Sequence, residues 1–167
     1  MDTSFLIDWV KYDNRDLLFK HYDVVFITES VLNEIRTEVP LLWVSEWMAK
    51  GRIKVLEETA DVRRKAISIV EATRGAPIRS ADYPEAVCLV FGNELGADVL
   101  TENGGVFAAK ELLEDYRDVN VYRAIDVLYM LFKEGLIVDF ASEVKKYINS
   151  TKHTYTRDIL DKYGVSI

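Results

Sequence analysis

The stretch PEAVCLVFGNELGADVLTENGGVFAAKELLEDYRDVNVYR, residues 84–123, decides the fold. Pro84 suits the first turn of a helix, where its missing N–H would have no partner anyway. AVCLVFGNELG (86–96) is largely apolar, so that helix is expected to be buried. ADVLT (97–101) is a short apolar run and reads as a strand. After Gly104-Gly105 a helix is expected to about Asp115, and VNVYR (119–123) is the next strand. Helix, strand, helix, strand with short links is the pattern of a parallel sheet covered on both faces.

The same alternation extends outward. Met1-Asp2-Thr3-Ser4 leads into FLIDWV, which reads as a short strand running into a helix. DVVFI (23–27) is a buried strand, with Thr28 or Ser30 able to cap the helix that carries Val31, Leu32 and Ile35 on one face. Pro40 opens a helix over LLWVSEWMAK that Gly51 closes, and IKVLE (53–57) is a further strand. Residues 60–74 place Val62, Ala66, Ile69 and Val70 on one helical face and Arg63, Arg64 and Lys65 outside. Beyond residue 123 come AIDVLYMLFKEG and two more helices near 139–149 and 155–163. The expected fold is α/β, a three-layer α/β/α sandwich with a central, mainly parallel sheet. It forms one domain over 1–167, with 124–167 as a C-terminal helical extension packed on it.

Composition narrows the function classes. The chain has 167 residues, 49% hydrophobic and 29% charged, enough apolar material for one real core. Its apolar runs are short and bounded by charge, far below the roughly 20 residues of a membrane span. Met1 is followed at once by an aspartate, without a basic and apolar leader, so a soluble, cytoplasmic protein with no membrane partner is expected. With 21 Lys and Arg against 28 Asp and Glu the net charge is −7, which gives no general attraction to nucleic acid. A polyanionic substrate therefore needs a local site, for example one holding metal. One cysteine (Cys88) and two histidines (His21, His153) make a structural zinc site improbable. Any metal is expected to be a hard cation on carboxylates.

In a parallel sheet, ligand chemistry gathers beyond the carboxyl ends of the strands. Acidic residues occupy such positions at Asp2, at Glu34 in the helix after DVVFI, at Asp82 and Glu85 at the start of the buried helix, and at Glu102 after ADVLT. Each has an ordinary role as well: a solvated terminus, an exposed helix face, complementing a helix dipole, or a turn. Together they suggest more, because carboxylates brought together repel and a divalent cation is the usual reason to keep them.

These residues reach a known family. The chain resembles the PIN-domain nucleases through Asp2-Thr3-Ser4 with Phe5-Leu6-Ile7, through Val31-Leu32-Asn33-Glu34-Ile35, through Pro84-Glu85-Ala86, and through the strand and turn Leu95 to Asn103. The resemblance covers residues 1 to about 123, and the remainder looks like the tail of an archaeal and bacterial PIN subgroup. It implies a metal-dependent endoribonuclease that hydrolyses RNA with Mg²⁺ or Mn²⁺. Asp2 and Glu85 would be direct or water-bridged ligands, Glu34 would complete the cluster, and Glu102 would stand at the fourth acidic position. Thr3 and Thr101 either orient carboxylates or phosphate or simply satisfy strand-end backbone groups, and Arg74 and Arg79, flanking the Gly75-Ala76-Pro77 loop, either grip phosphates or belong to a solvated loop and helix cap. The resemblance also implies a homodimer and the toxin role of a toxin–antitoxin pair, with a small antitoxin as partner.

Two departures accompany it. Many relatives have aspartate, sometimes paired, where this chain has Glu102-Asn103, and Asn103 can coordinate only through a neutral oxygen. Relatives also carry an apolar lead-in strand before the first aspartate. Both favour the alternative of a catalytically weak PIN-like module for binding RNA or protein, and a DNA nuclease is a third reading. Of the remaining residues, Lys152, His153, Tyr155 and Arg157 form a basic and aromatic group in the tail, either solvated or binding single-stranded RNA. Trp43 and Trp47 mark either core or an exposed partner stripe.

Overall fold

Asp2 starts the first element as a cap. In the computed structural model, which describes residues 1–166, α1 (Thr3–Lys11) begins directly at Thr3, so the helix expected here is present but the short strand expected to lead into it is not. The reason is local: the Asp2 carboxylate accepts the Phe5 N–H at 2.8 Å, and Phe5, Leu6, Trp9 and Val10 then share the buried side of the helix. A 3₁₀ turn (Arg15–Leu17) and a short α2 (Leu18–His21), neither of them anticipated, lead into β1 (Val25–Thr28). Thr28 caps α3 (Glu29–Glu34), accepting the Val31 N–H at 3.3 Å. α4 (Glu38–Ala49) starts two residues before Pro40, which sits within its first turn. Gly51 then turns the chain at φ +70° into β2 (Ile53–Leu56).

The order continues through α5 (Ala60–Arg74), α6 (Tyr83–Leu95), β3 (Val99–Leu100), α7 (Gly104–Leu112), β4 (Val121–Tyr122), α8 (Ala124–Lys133), α9 (Phe140–Thr151) and α10 (Arg157–Lys162). The architecture is mixed α/β with parallel strands. β1 pairs with β2, Val25 opposite Ile53, and β3 pairs with β4, Val99 opposite Val121. The strands are shorter than the apolar runs suggest and form two two-stranded sheets. Met1 and Asp2 lie between the pairs: the Met1 nitrogen donates to the Phe26 carbonyl and the Asp2 N–H to the Leu100 carbonyl, each at 2.9 Å. Beside Met1 runs an apolar slot of about 110 Å³, walled by Phe26, Cys88, Phe91 and Leu100 among others.

The core gathers around α6, whose Ala86–Val90 segment is buried and which packs against β1, β3, α5 and α7. The tail joins the same core. α9 lies on α1, with Tyr147 packed between Trp9 and Tyr12 at ring distances of 6.0 and 5.7 Å. Trp43 is buried and Trp47 stacks on Phe19 at 4.0 Å, whereas Val39, Leu42 and Met48 of α4 are exposed. No helix among the described residues is long and apolar enough to cross a membrane.

Two glycines are required by close packing. A Cβ on Gly92 would overlap Val99 and meet Val119 at 3.0 Å, and one on Gly105 would overlap the Ser80 carbonyl, which is main chain and cannot rotate away. Gly105→Ala should therefore cost about 1–3 kcal/mol through forced displacement of α7, read as a lower denaturation midpoint with an unchanged slope.

Candidate functional site

One cleft of about 260 Å³ is lined by Asp2, Thr3, Ser4, Glu34, Asp82, Pro84 and Glu85. It lies where the N-terminal cap of α1, the end of α3 and the first turn of α6 meet. The sequence assembles it with ordinary helix chemistry. Asp2 is the cap of α1 and Asp82 the cap of α6, and Glu85 reaches back from the first turn to accept the Asp82 N–H at 2.9 Å.

Asp2 is fully buried. Its carboxylate accepts the Phe5 N–H, the Ser4 hydroxyl at 3.0 and 3.1 Å, and the Thr101 hydroxyl in a short bond. Burial nevertheless outweighs these donors and raises its pKa above the usual carboxylate range. Glu85, half-buried, is raised as well, first by burial and then by the negative charge of Asp2. Its other oxygen accepts the Asn103 side-chain N–H in a short bond. Glu34 accepts the Thr3 hydroxyl, also in a short bond, at the exposed lip. Asp2 and Glu85 are thus two neighbouring carboxylates, held by neutral donors, whose charges repel.

Thr101 and Asn103 consequently reach the cleft through the carboxylates they hold, Thr101 through Asp2 and Asn103 through Glu85. Ser4 lines the cleft although sequence reasoning did not single it out; its place two residues after a capping aspartate is the available signal. Arg79 is exposed, and its side chain lies against the first residue of α7, 3.3 Å from where a Gly104 Cβ would stand. Arg74 is exposed as the last residue of α5 and is not among the residues lining the cleft.

Glu102 is placed differently. Its side chain is 3% exposed and turns toward the tail. Oε1 accepts the Ala124 N–H at 2.8 Å, the Tyr155 hydroxyl at 3.1 Å and the Tyr147 hydroxyl at 3.5 Å. Oε2 has no aligned donor, although His153 Nε2 stands 3.2 Å away as a charge contact. The other imidazole nitrogen faces Asp8 at 3.3 Å. Of the tail group, His153 and Tyr155 therefore point inward, while Lys152 and Arg157 are exposed.

Hard-oxygen donors crowd the cleft, which is the chemistry Mg²⁺ and Mn²⁺ select. As placed, no three Asp, Glu, His or Cys groups among the described residues converge as a ready-made set. Two carboxylates are enough for Mg²⁺, which keeps most of its waters, and the raised proton affinity of Asp2 and Glu85 marks them as the pair a cation would relieve. No family model, no curated protein and no solved structure matches the chain.

The histidine network sets a pH dependence. Asp8, then Glu102, push the His153 pKa up to about 9, overcoming the effect of its burial. A raised imidazole adds stability that is complete below about pH 6.5 and lost as pH rises through about 9. The melting temperature should accordingly fall between pH 6.5 and 9.5, and His153→Gln should flatten that slope. A wild-type midpoint level across this window would remove the network from the stability account.

Proposed function

We propose that this chain is a Mg²⁺- or Mn²⁺-dependent endoribonuclease of the PIN type, and that its two strand pairs are halves of one parallel sheet, with Met1 and Asp2 running between β1 and β3, within a three-layer sandwich. The observation that carries the activity is the Asp2–Glu85 pair: two adjacent carboxylates of raised proton affinity on one open cleft, with Glu34 and Asp82 at its edge. Asp2 and Glu85 would hold the ion, and Glu34 would complete the acidic rim. Bound there, the ion would neutralise charge on the phosphate and lower the pKa of a bound water, making it a better nucleophile.

The chain's own groups do the positioning. Ser4 and Thr101 fix the Asp2 carboxylate, Asn103 and the Asp82 N–H fix Glu85, and Thr3 fixes Glu34. Arg79, beside the start of α7, and Arg74, at the end of α5, line no part of the cleft and would meet only substrate phosphates that extend beyond it. A cytoplasmic toxin with a small antitoxin partner, and a homodimer, belong to the same proposal; the exposed apolar residues Val39, Leu42 and Met48 of α4 support a protein partner.

One observation favours the second reading, a catalytically weak module that binds RNA or protein. The fourth acidic side chain, Glu102, is committed to the tail and leaves the cleft with neutral Asn103 on that side.

The deciding experiment is cleavage of labelled single-stranded RNA, and of DNA of the same sequence, with Mn²⁺ or Mg²⁺. Asp2→Asn and Glu85→Gln should lower metal-dependent RNA cleavage at least about 100-fold, since loss of even an outer-shell partner of a metal costs about 10–100-fold, with circular dichroism unchanged. Variants that cut as well as wild type would overturn the assignment. A wild-type chain that neither cuts nor binds Mn²⁺ would leave the binding module.

A further inference from the structure

The acid cleft is lined by the start of α1, the end of α3 and the start of α6, and a buried carboxylate outside it ties α3 to α6. Glu58, two residues beyond β2, is only 6% exposed and lines no part of the cleft. Its Oε1 accepts both the N–H and the hydroxyl of Ser30, at 2.7 and 2.5 Å, in the first turn of α3. Its Oε2 accepts the Tyr83 hydroxyl at 3.0 Å, and Tyr83 is the first residue of α6. The Glu58 main chain is held in turn: its N–H donates to Glu29 at 2.9 Å and its carbonyl accepts Arg63 Nε at 2.8 Å.

The geometry points to Glu58 as a positioning residue that sets the separation of Glu34 on α3 from Glu85 on α6. Glu34 is the last residue of the six-residue α3 whose first turn Glu58 grips, and Glu85 lies two residues after Tyr83. With both carboxylate oxygens engaged on different elements, a shift of one helix start pulls on the other. Donors that hold metal-binding carboxylates at a distance of this kind tune a site without touching its ion. The position follows the rule that drew attention to Asp2 and Glu102, a carboxylate just past the carboxyl end of a parallel strand.

This inference rests on the reading of the cleft as a divalent-cation site, and its test separates the two. Mn²⁺ affinity is measured by calorimetry on the full chain for wild type, Tyr83→Phe, Glu58→Gln and their double variant. Ile69→Val, a core truncation on α5 that removes no hydrogen-bond partner of Glu58, serves as the stability control. Tyr83→Phe removes one hydroxyl and leaves the ring packed, so it keeps the test informative if Glu58→Gln fails to fold. Each link variant is expected to weaken Mn²⁺ binding about tenfold. The double variant should be no weaker than the weaker single, because both cut one link, and Ile69→Val should bind as wild type at a comparable loss of melting temperature. Wild-type affinity in Tyr83→Phe and Glu58→Gln, or an equal loss in Ile69→Val, overturns the positioning role while the cation site stands. A wild-type chain that binds no Mn²⁺ overturns both.

Discussion

Everything about this chain turns on how Met1 and Asp2 are seated. Two residues of main chain lie between β1 and β3 and donate one hydrogen bond to each, so they join strand pairs that share no ladder of their own. The second of those residues also ends in the carboxylate that caps α1 and takes the Thr101 hydroxyl at the end of β3. A single aspartate thereby connects sheet edge, helix start and cleft floor. Burying an ionised group is expensive unless it is densely hydrogen-bonded, and Asp2 meets that condition with neutral donors alone.

That arrangement explains the electrical character of the cleft. Backbone and hydroxyl donors orient a carboxylate without cancelling its charge, so Asp2 and Glu85 keep an excess of negative potential between them. Loss of water raises the proton affinity of both carboxylates, and at Glu85 the charge of Asp2 adds to it. In a chain of net charge −7 the surface at large offers an anion no general attraction.

Glu102 shows how the same strand-end position can serve another purpose. It stands two residues past the end of β3, yet Tyr155, Tyr147, His153 and the Ala124 N–H draw its side chain to the tail. The last 40 or so residues are therefore more than an appendage: α9 completes the aromatic packing of Trp9 and Tyr12, and residues 153–155 close over a carboxylate of the main body.

Most helices were legible in the sequence because each carries its own evidence in a few residues: the cap Thr28, the first-turn acids and Pro84 of α6, and the apolar spacing of Val62, Ala66, Ile69 and Val70. The β1–β2 and β3–β4 runs were legible as strands for the same reason, and Asp2, Glu34 and Glu85 as residues at strand and helix ends. Strand lengths were not, nor was the start of α1 at Thr3, because an apolar run such as FLIDWV suits either period until a cap and its neighbours choose. Local sequence alone determined which elements form and which acids stand at their ends, since capping and periodicity act over three or four residues. Only the tertiary structure decided that Asp2, Glu34 and Glu85 share a cleft while Glu102 leaves it. Side-chain direction depends on donors far away in the chain, Thr101 for Asp2 and Tyr155 for Glu102, which no local pattern contains.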